Sequence, residues 1–159
     1  MANEISNSDD IIDSRDVIKR IEELESERDG LAEAVDDAKT AKVGLIEPTD
    51  EETDDADDEI ATAERALLDW NEGDEGQELT ALINLQSEAE GYAPDWHHGA
   101  TLIRDSYFEK YAEELADDLG LLPKDAAWPA TCIDWEKAAR ELQVDYTSVD
   151  FDGIDYWIR

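Results

Sequence analysis

A single cysteine, Cys132, leaves the chain without an internal disulfide and points to a reducing compartment. Basic residues are scarce: 13 Lys and Arg stand against 45 Asp and Glu, a formal net charge of −32. Direct binding to nucleic acid is therefore not expected, because the long-range field has the wrong sign. Long hydrophobic runs are missing, so no membrane span is expected. The opening residues, Met1 to Asp10, hold no basic segment followed by an apolar run, so no signal peptide is expected either. A soluble, cytoplasmic protein is the expectation.

Chemistry is equally thin. There is no phosphate loop, no Gly-x-Gly-x-x-Gly and no Gly-x-Ser-x-Gly elbow. His97 and His98 adjoin Asp95, with Cys132 in the same half, but this spacing matches no zinc pattern. The aspartates lack the calcium-loop arrangement. Trp70, Trp96, Trp128, Trp135 and Trp157 read as core or groove anchors rather than a ligand cage. No enzyme, cofactor or metal is expected.

What the chain does have is acid, concentrated in one stretch. Glu47, Asp50, Glu51, Glu52, Asp54, Asp55, Asp57, Asp58 and Glu59 follow one another with no basic residue among them. Such a run repels itself and reads first as a solvated linker. Net self-repulsion on this scale opposes compaction. Three roles fit it: solubility in molar salt, binding of basic partners, or imitation of a nucleic acid. A charge of −32 equals that of about 16 base pairs, or ~54 Å of duplex. The charge is also uneven: residues up to Gly91 carry −23 and the remainder −9. Salt adaptation would spread acidity evenly, so a dedicated acidic appendage is favoured.

Hydrophobic residues, 41% of the chain, suffice for a core. Residues up to about Asp13 read as frayed. Ser14 or Asp16 suits the cap of a helix. In that helix Val17, Ile21, Leu24, Arg28, Leu31, Val35 and Ala38 repeat at four and three, a heptad seam. Arg28 at a core position calls for a carboxylate partner. The seam pairs either within one chain, as a helical hairpin, or across a homodimer. After a break at Val43–Pro48, Ile60, Ala63, Leu67 and Trp70 resume the spacing, folding back on the first helix. The acidic run then lies at the hairpin tip or opens the second helix, where carboxylates favour the dipole.

Asn71 to Gly76 reads as a turn. Leu79, Leu82, Ile83, Gln86 and Ala89 mark a third helix, ended by Gly91 and Pro94. Leu102, Ile103, Tyr107, Phe108, Tyr111, Leu115 and Leu119 form the most apolar helical pattern, ended by Gly120. Its exposed face carries Glu109, Glu113, Glu114, Asp117 and Asp118. A short helix is expected from about Asp134 to Gln143. A β-hairpin follows, Tyr146–Phe151 and Ile154–Arg159, about the Asp152-Gly153 turn. The predicted fold is mainly α (α+β): an acidic helical, coiled-coil-like region at 1–91 and a small α+β unit at 92–159.

From about Tyr107 onward the sequence resembles the C-terminal part of the ArdA antirestriction proteins. Tyr111-Ala112-Glu113-Glu114-Leu115-Ala116-Asp117-Asp118-Leu119-Gly120 is similar to that family's acidic helix. Cys132-Ile133-Asp134-Trp135-Glu136-Lys137-Ala138-Ala139-Arg140-Glu141-Leu142 resembles its "IDxE…ARDL" pattern, and Asp152-Gly153 with Tyr156 and Trp157 its closing hairpin. The match covers about a third of the chain; upstream, the heptad-bearing acidic segment stands in place of the family's preceding domains. The resemblance implies an elongated, often dimeric phage or mobile-element protein that mimics bent DNA and fills the DNA groove of type I restriction-modification enzymes. The expected partner is thus a DNA-binding complex of a bacterial defence system. The expected mimicking carboxylates are the acidic run together with Glu113, Glu114, Asp117 and Asp118. The same mimicry suits an anti-CRISPR protein. The rivals are an acidic coiled-coil scaffold and a chaperone for a basic partner.

Overall fold

The computed structural model describes residues 5–125 and 127–159. It is mainly helical with a small antiparallel sheet. In chain order the elements are β1 (Ile11–Asp13), α1 (Ser14–Val43), α2 (Asp50–Glu72), α3 (Asp74–Ala89), α4 (Trp96–Gly99), β2 (Thr101–Arg104), α5 (Phe108–Asp118), α6 (Trp135–Leu142), β3 (Thr147–Phe151) and β4 (Ile154–Ile158). Two compact units result. One is Arg20–Leu82; the other joins the residues up to Lys19 with Ile83–Arg159. No helix among the described residues is long and apolar enough to cross a membrane.

The second unit is built on the sheet, in the order β1-β2-β4-β3. Asp152 and Gly153 both take positive φ, 49° and 82°, which is the two-residue turn that joins β3 to β4. Val149 pairs with Tyr156 and Phe151 with Ile154. Alternation puts Val149, Phe151, Tyr156 and Ile158 on one face, all buried. The opposite face carries Ile103 and Trp157, register partners in β2 and β4. Against Ile103 pack Phe108 and Ala112 of α5 and Ala139 of α6. Phe108 sits among Tyr111, Tyr146 and Trp157, with ring centroids 5.5, 5.2 and 6.0 Å away. These tilted and edge-on contacts are the favourable arrangement of aromatic quadrupoles.

Three expectations about this unit are corrected. Residues 5–13 are not a frayed tail: Ile5 and Ile12 are buried, and β1 pairs with β2 from Ile11↔Ile103 to Asp13↔Thr101; residues 1–4 lie outside the described residues. Leu102 and Ile103 do not open a helix; they form β2, paired on both sides, and the helix begins only at Phe108. A short apolar run suits either period, and only the partner strands from both chain ends decide it. Ser14 does not cap α1. It is fully buried; its hydroxyl donates to the Trp96 carbonyl at 2.6 Å and accepts from the Ala100 N–H at 2.7 Å. The cap is Asp13, whose carboxylate accepts from the Arg15 N–H at 2.8 Å. The Arg15 guanidinium, bonded to the same carboxylate, holds the Asp13 pKa below its usual value.

Candidate functional site

Within the unit Arg20–Leu82, α1 and α2 run antiparallel. Later residues of α1 meet earlier residues of α2: Lys39 pairs with Glu64 at 2.7 Å, and Lys42 with Asp57. Thr53, Ala56, Ile60, Ala63, Leu67 and Trp70 are the half-buried positions of α2, spaced three and four apart. None is fully buried. On α1 the seam residues Val17, Ile21, Leu24 and Val35 are buried, and Leu31 is half-buried. Arg28 departs from expectation. Its guanidinium turns to the surface and bonds its neighbour Asp29 at 3.0 Å, and among the described residues no carboxylate meets it across the seam. A long cationic side chain reaches water more cheaply than it sheds its hydration.

The acidic run is not a linker; it opens the second helix, one of the two expected placements. Its greater part, from Asp50, forms the first turns of α2. Thr49 caps the helix: its hydroxyl accepts from the Glu52 N–H at 3.2 Å, and the Glu52 carboxylate accepts from the Thr49 N–H at 2.8 Å. This reciprocal box satisfies two N–H groups that would otherwise lack partners. Glu52 is held below the ordinary glutamate pKa, first by the Thr49 N–H and then by its hydroxyl. Carboxylates at Asp50 and Glu51 gain from the helix dipole. The helix thus stabilises charges that would otherwise unwind it. Glu47 lies outside, in the connection, with positive φ.

Eight carboxylates, at positions 50, 51, 52, 54, 55, 57, 58 and 59, fall within ten helical residues, and all eight side chains are exposed. Ten residues rise about 15 Å, so charge recurs every ~1.9 Å of axis, against ~1.7 Å in duplex DNA. Within this stretch Asp57 alone is matched to a cation among the described residues, by Lys42. The whole unit holds 23 carboxylates and 5 basic side chains in 63 residues, a net charge of −18. The remaining 96 residues carry −14. Charge per residue is thus about twofold higher in the helical unit, which uniform salt adaptation does not explain.

The other predicted carboxylates lie in different surroundings. Glu113, Glu114, Asp117 and Asp118 are on α5. Lys110 stands 3.7 Å from Glu113 and 4.0 Å from Glu114, and the Tyr107 hydroxyl donates to Glu114 at 2.7 Å. That bond raises the Tyr107 pKa. The charge on α5 is therefore partly neutralised.

Two features escaped the sequence reading. The Thr49–Glu52 box was legible as Thr-x-x-Glu before a periodic run. The pair Arg20–Glu78 was not, since 58 positions separate its members. The region Asn71–Gly76, expected as a turn, is only a break at Gly73; Gly76 already belongs to α3. A Cβ at Gly76 would collide with the Asn71 carbonyl oxygen, so the close helix junction needs glycine there. His97 bonds Glu90 at 2.8 Å, and no group of three metal-ligating side chains gathers among the described residues. Compared with known proteins, the chain matches no family model, no curated protein and no solved structure.

Proposed function

We propose that this protein is a DNA mimic that occupies the DNA groove of a host DNA-binding defence enzyme. The observation that carries the reading is the helix α2, whose exposed carboxylates recur at nearly the spacing of duplex phosphates. A loop of the same composition would present a fluctuating charge cloud. A capped helix presents a fixed row, so Lys and Arg that grip DNA meet charges already in place. Such complexes form fast and weaken with salt. No catalysis is part of the proposal, and its place of action is the host cytoplasm.

The ArdA-like segment from Tyr107 onward supports a type I restriction-modification enzyme as target. An effector of a CRISPR system offers the same kind of basic groove. The test is competition. Purified type I enzyme is loaded with fluorescent duplex, and the protein is added at rising concentration. Release of the duplex is expected, with no binding of the protein itself to free DNA. Inhibition of the enzyme that persists unchanged while duplex stays bound would overturn the mimicry.

A further inference from the structure

The connection between α1 and α2 is apolar where the helices on either side of it are acidic. Ile46 is 91% exposed and Val43 85%, the two most exposed large apolar side chains among the described residues, and Leu45 is 38% exposed. The backbone here is held in place. The Gly44 N–H bonds back to the Thr40 carbonyl at 3.0 Å and the Leu45 N–H to the Lys42 carbonyl at 3.2 Å, just past the last residue of α1. Glu47 takes φ 49°, which a residue with a Cβ adopts only where its surroundings hold it. The Thr49 capping box then starts α2. Single exposed apolar side chains need no explanation, but three within four positions, rimmed by charge, mark a surface that meets another molecule.

Charge around this tip selects the molecule. From Asp36 to Glu59 there are 11 carboxylates and two lysines, a net charge of −9. Both lysines are engaged, Lys39 by Glu64 and Lys42 by Asp57. A second copy would bring the same charge against this one, and an anionic bilayer would repel it likewise. A surface rich in Lys and Arg is attracted. We propose that Val43, Leu45 and Ile46 anchor in an apolar hollow at the edge of the target's basic groove, beside the Lys and Arg that α2 engages. The inference rests on the reading of α2 as a DNA mimic. It adds a contact for which a row of phosphates has no counterpart. The two contacts differ in their response to salt: screening weakens charge pairing, whereas apolar burial is not screened. The tip thus supplies affinity that persists as salt rises, and it separates a target with such a hollow from other basic proteins.

The test is binding of the fluorescently labelled full chain to a type I restriction-modification enzyme, followed by anisotropy at low, intermediate and raised salt. Val43→Ser with Ile46→Ser keeps the charge. Both positions are exposed, so the fold should persist, and circular dichroism checks it. Affinity is expected to fall at least about tenfold at every salt concentration, with the slope of log Kd against log salt unchanged. Val43→Ile with Ile46→Leu should bind within about threefold of wild type, because the apolar surface is kept. Wild-type affinity in the Ser variant, while the wild-type chain displaces duplex, would overturn the anchor and leave the mimicry standing. Failure of the wild-type chain to displace duplex would overturn both. A wild-type dimer that the Ser variant dissolves would assign the tip to a second copy instead. Flotation with anionic vesicles that the Ser variant loses would assign it to a membrane. Either result would overturn the proposal.

Discussion

Arg20 and Glu78 form a two-pronged ion pair, Nε to Oε1 at 2.8 Å and Nη2 to Oε2 at 2.7 Å, with both side chains about four-fifths shielded from water. The pair joins α1 to the first turns of α3. The carboxylate raises the pKa of the Arg20 guanidinium, chiefly through the hydrogen bonds. In a unit of net charge −18, few cations are available to tie helices together. Arg20→Ala is expected to lower the unfolding free energy by about 1–3 kcal/mol, because it leaves Glu78 without its partner. Arg20→Lys should recover only part, since an ammonium cannot make the fork. Urea unfolding of both variants, in a cycle with Glu78→Gln, gives the coupling. A coupling near zero would show that the pair does not hold the helices.

The capping box links acid to helix stability. Glu52 has a lowered folded-state pKa. Its contribution is thus present above the unfolded value near 4.5 and is lost as pH falls through the folded value. Glu52→Gln should remove this acid dependence while keeping part of the cap. Thr49→Ala is expected to cost about 1 kcal/mol. Amide exchange at Asp50–Thr53 reports both effects. Unchanged protection in Thr49→Ala would mean that the acidic turns are held by something other than their cap.

At the alkaline end the sheet unit is the sensitive part. Burial, aided by the Tyr146 hydroxyl at 3.1 Å, pushes the Tyr111 pKa up to about 12. Burial also pushes Tyr156 up to about 12. A raised folded pKa means that the stabilisation is full below the unfolded value near 10 and is lost as pH rises through 12. Ultraviolet titration should show late ionisation of these two tyrosines. Tyr111→Phe should delete one late step, and ionisation of both near pH 10 would contradict the burial argument.

Carboxylates act collectively in the proposed recognition. One exposed ion pair contributes about 0–1 kcal/mol, so Asp55→Asn alone should change inhibition little. Neutralising Asp54, Asp55, Asp57, Asp58 and Glu59 together removes the charge of about 2–3 base pairs. Affinity for the target should then fall at least about tenfold, with a shallower salt dependence. The fold should persist, since self-repulsion eases. Wild-type inhibition by this folded variant would remove α2 from the recognition surface and favour the scaffold reading.

The seam offers a fifth contrast. Leu24 is fully buried and Leu31 half-buried. Replacing both by Glu places charges in the packed face and should abolish the helical signal of the Arg20–Leu82 unit. Sedimentation of the wild-type chain at micromolar concentration runs beside it. If a wild-type dimer becomes a folded monomer in the double variant, the seam joins two copies instead of two helices of one chain.

Local patterns determined much of this protein. Heptad spacing from Val17 to Ala38 and from Ile60 to Trp70 specified two helices and the faces they turn inward. Thr49-x-x-Glu52 specified where the second begins, and Asp152-Gly153 specified the last turn. Each is a rule within a few residues, satisfied by the backbone of its own segment. The charge excess was likewise legible at once, because it depends on composition alone. The tertiary structure decided what no segment contains by itself. Ile11–Asp13 and Thr101–Arg104 become strands only because they complete each other's hydrogen bonds across about 90 positions. Ser14 leaves the cap for a buried bridge because Trp96 and Ala100 present a carbonyl and an N–H there. Arg28 reaches the surface and Arg20 turns inward because only Arg20 meets a carboxylate on a neighbouring helix. The carboxylates of α2 and α5 look alike in sequence. They differ because α5 carries its own cation, Lys110, one turn from Glu113 and Glu114, whereas the one cation that meets the first turns of α2 among the described residues, Lys42, is brought there from α1 by folding.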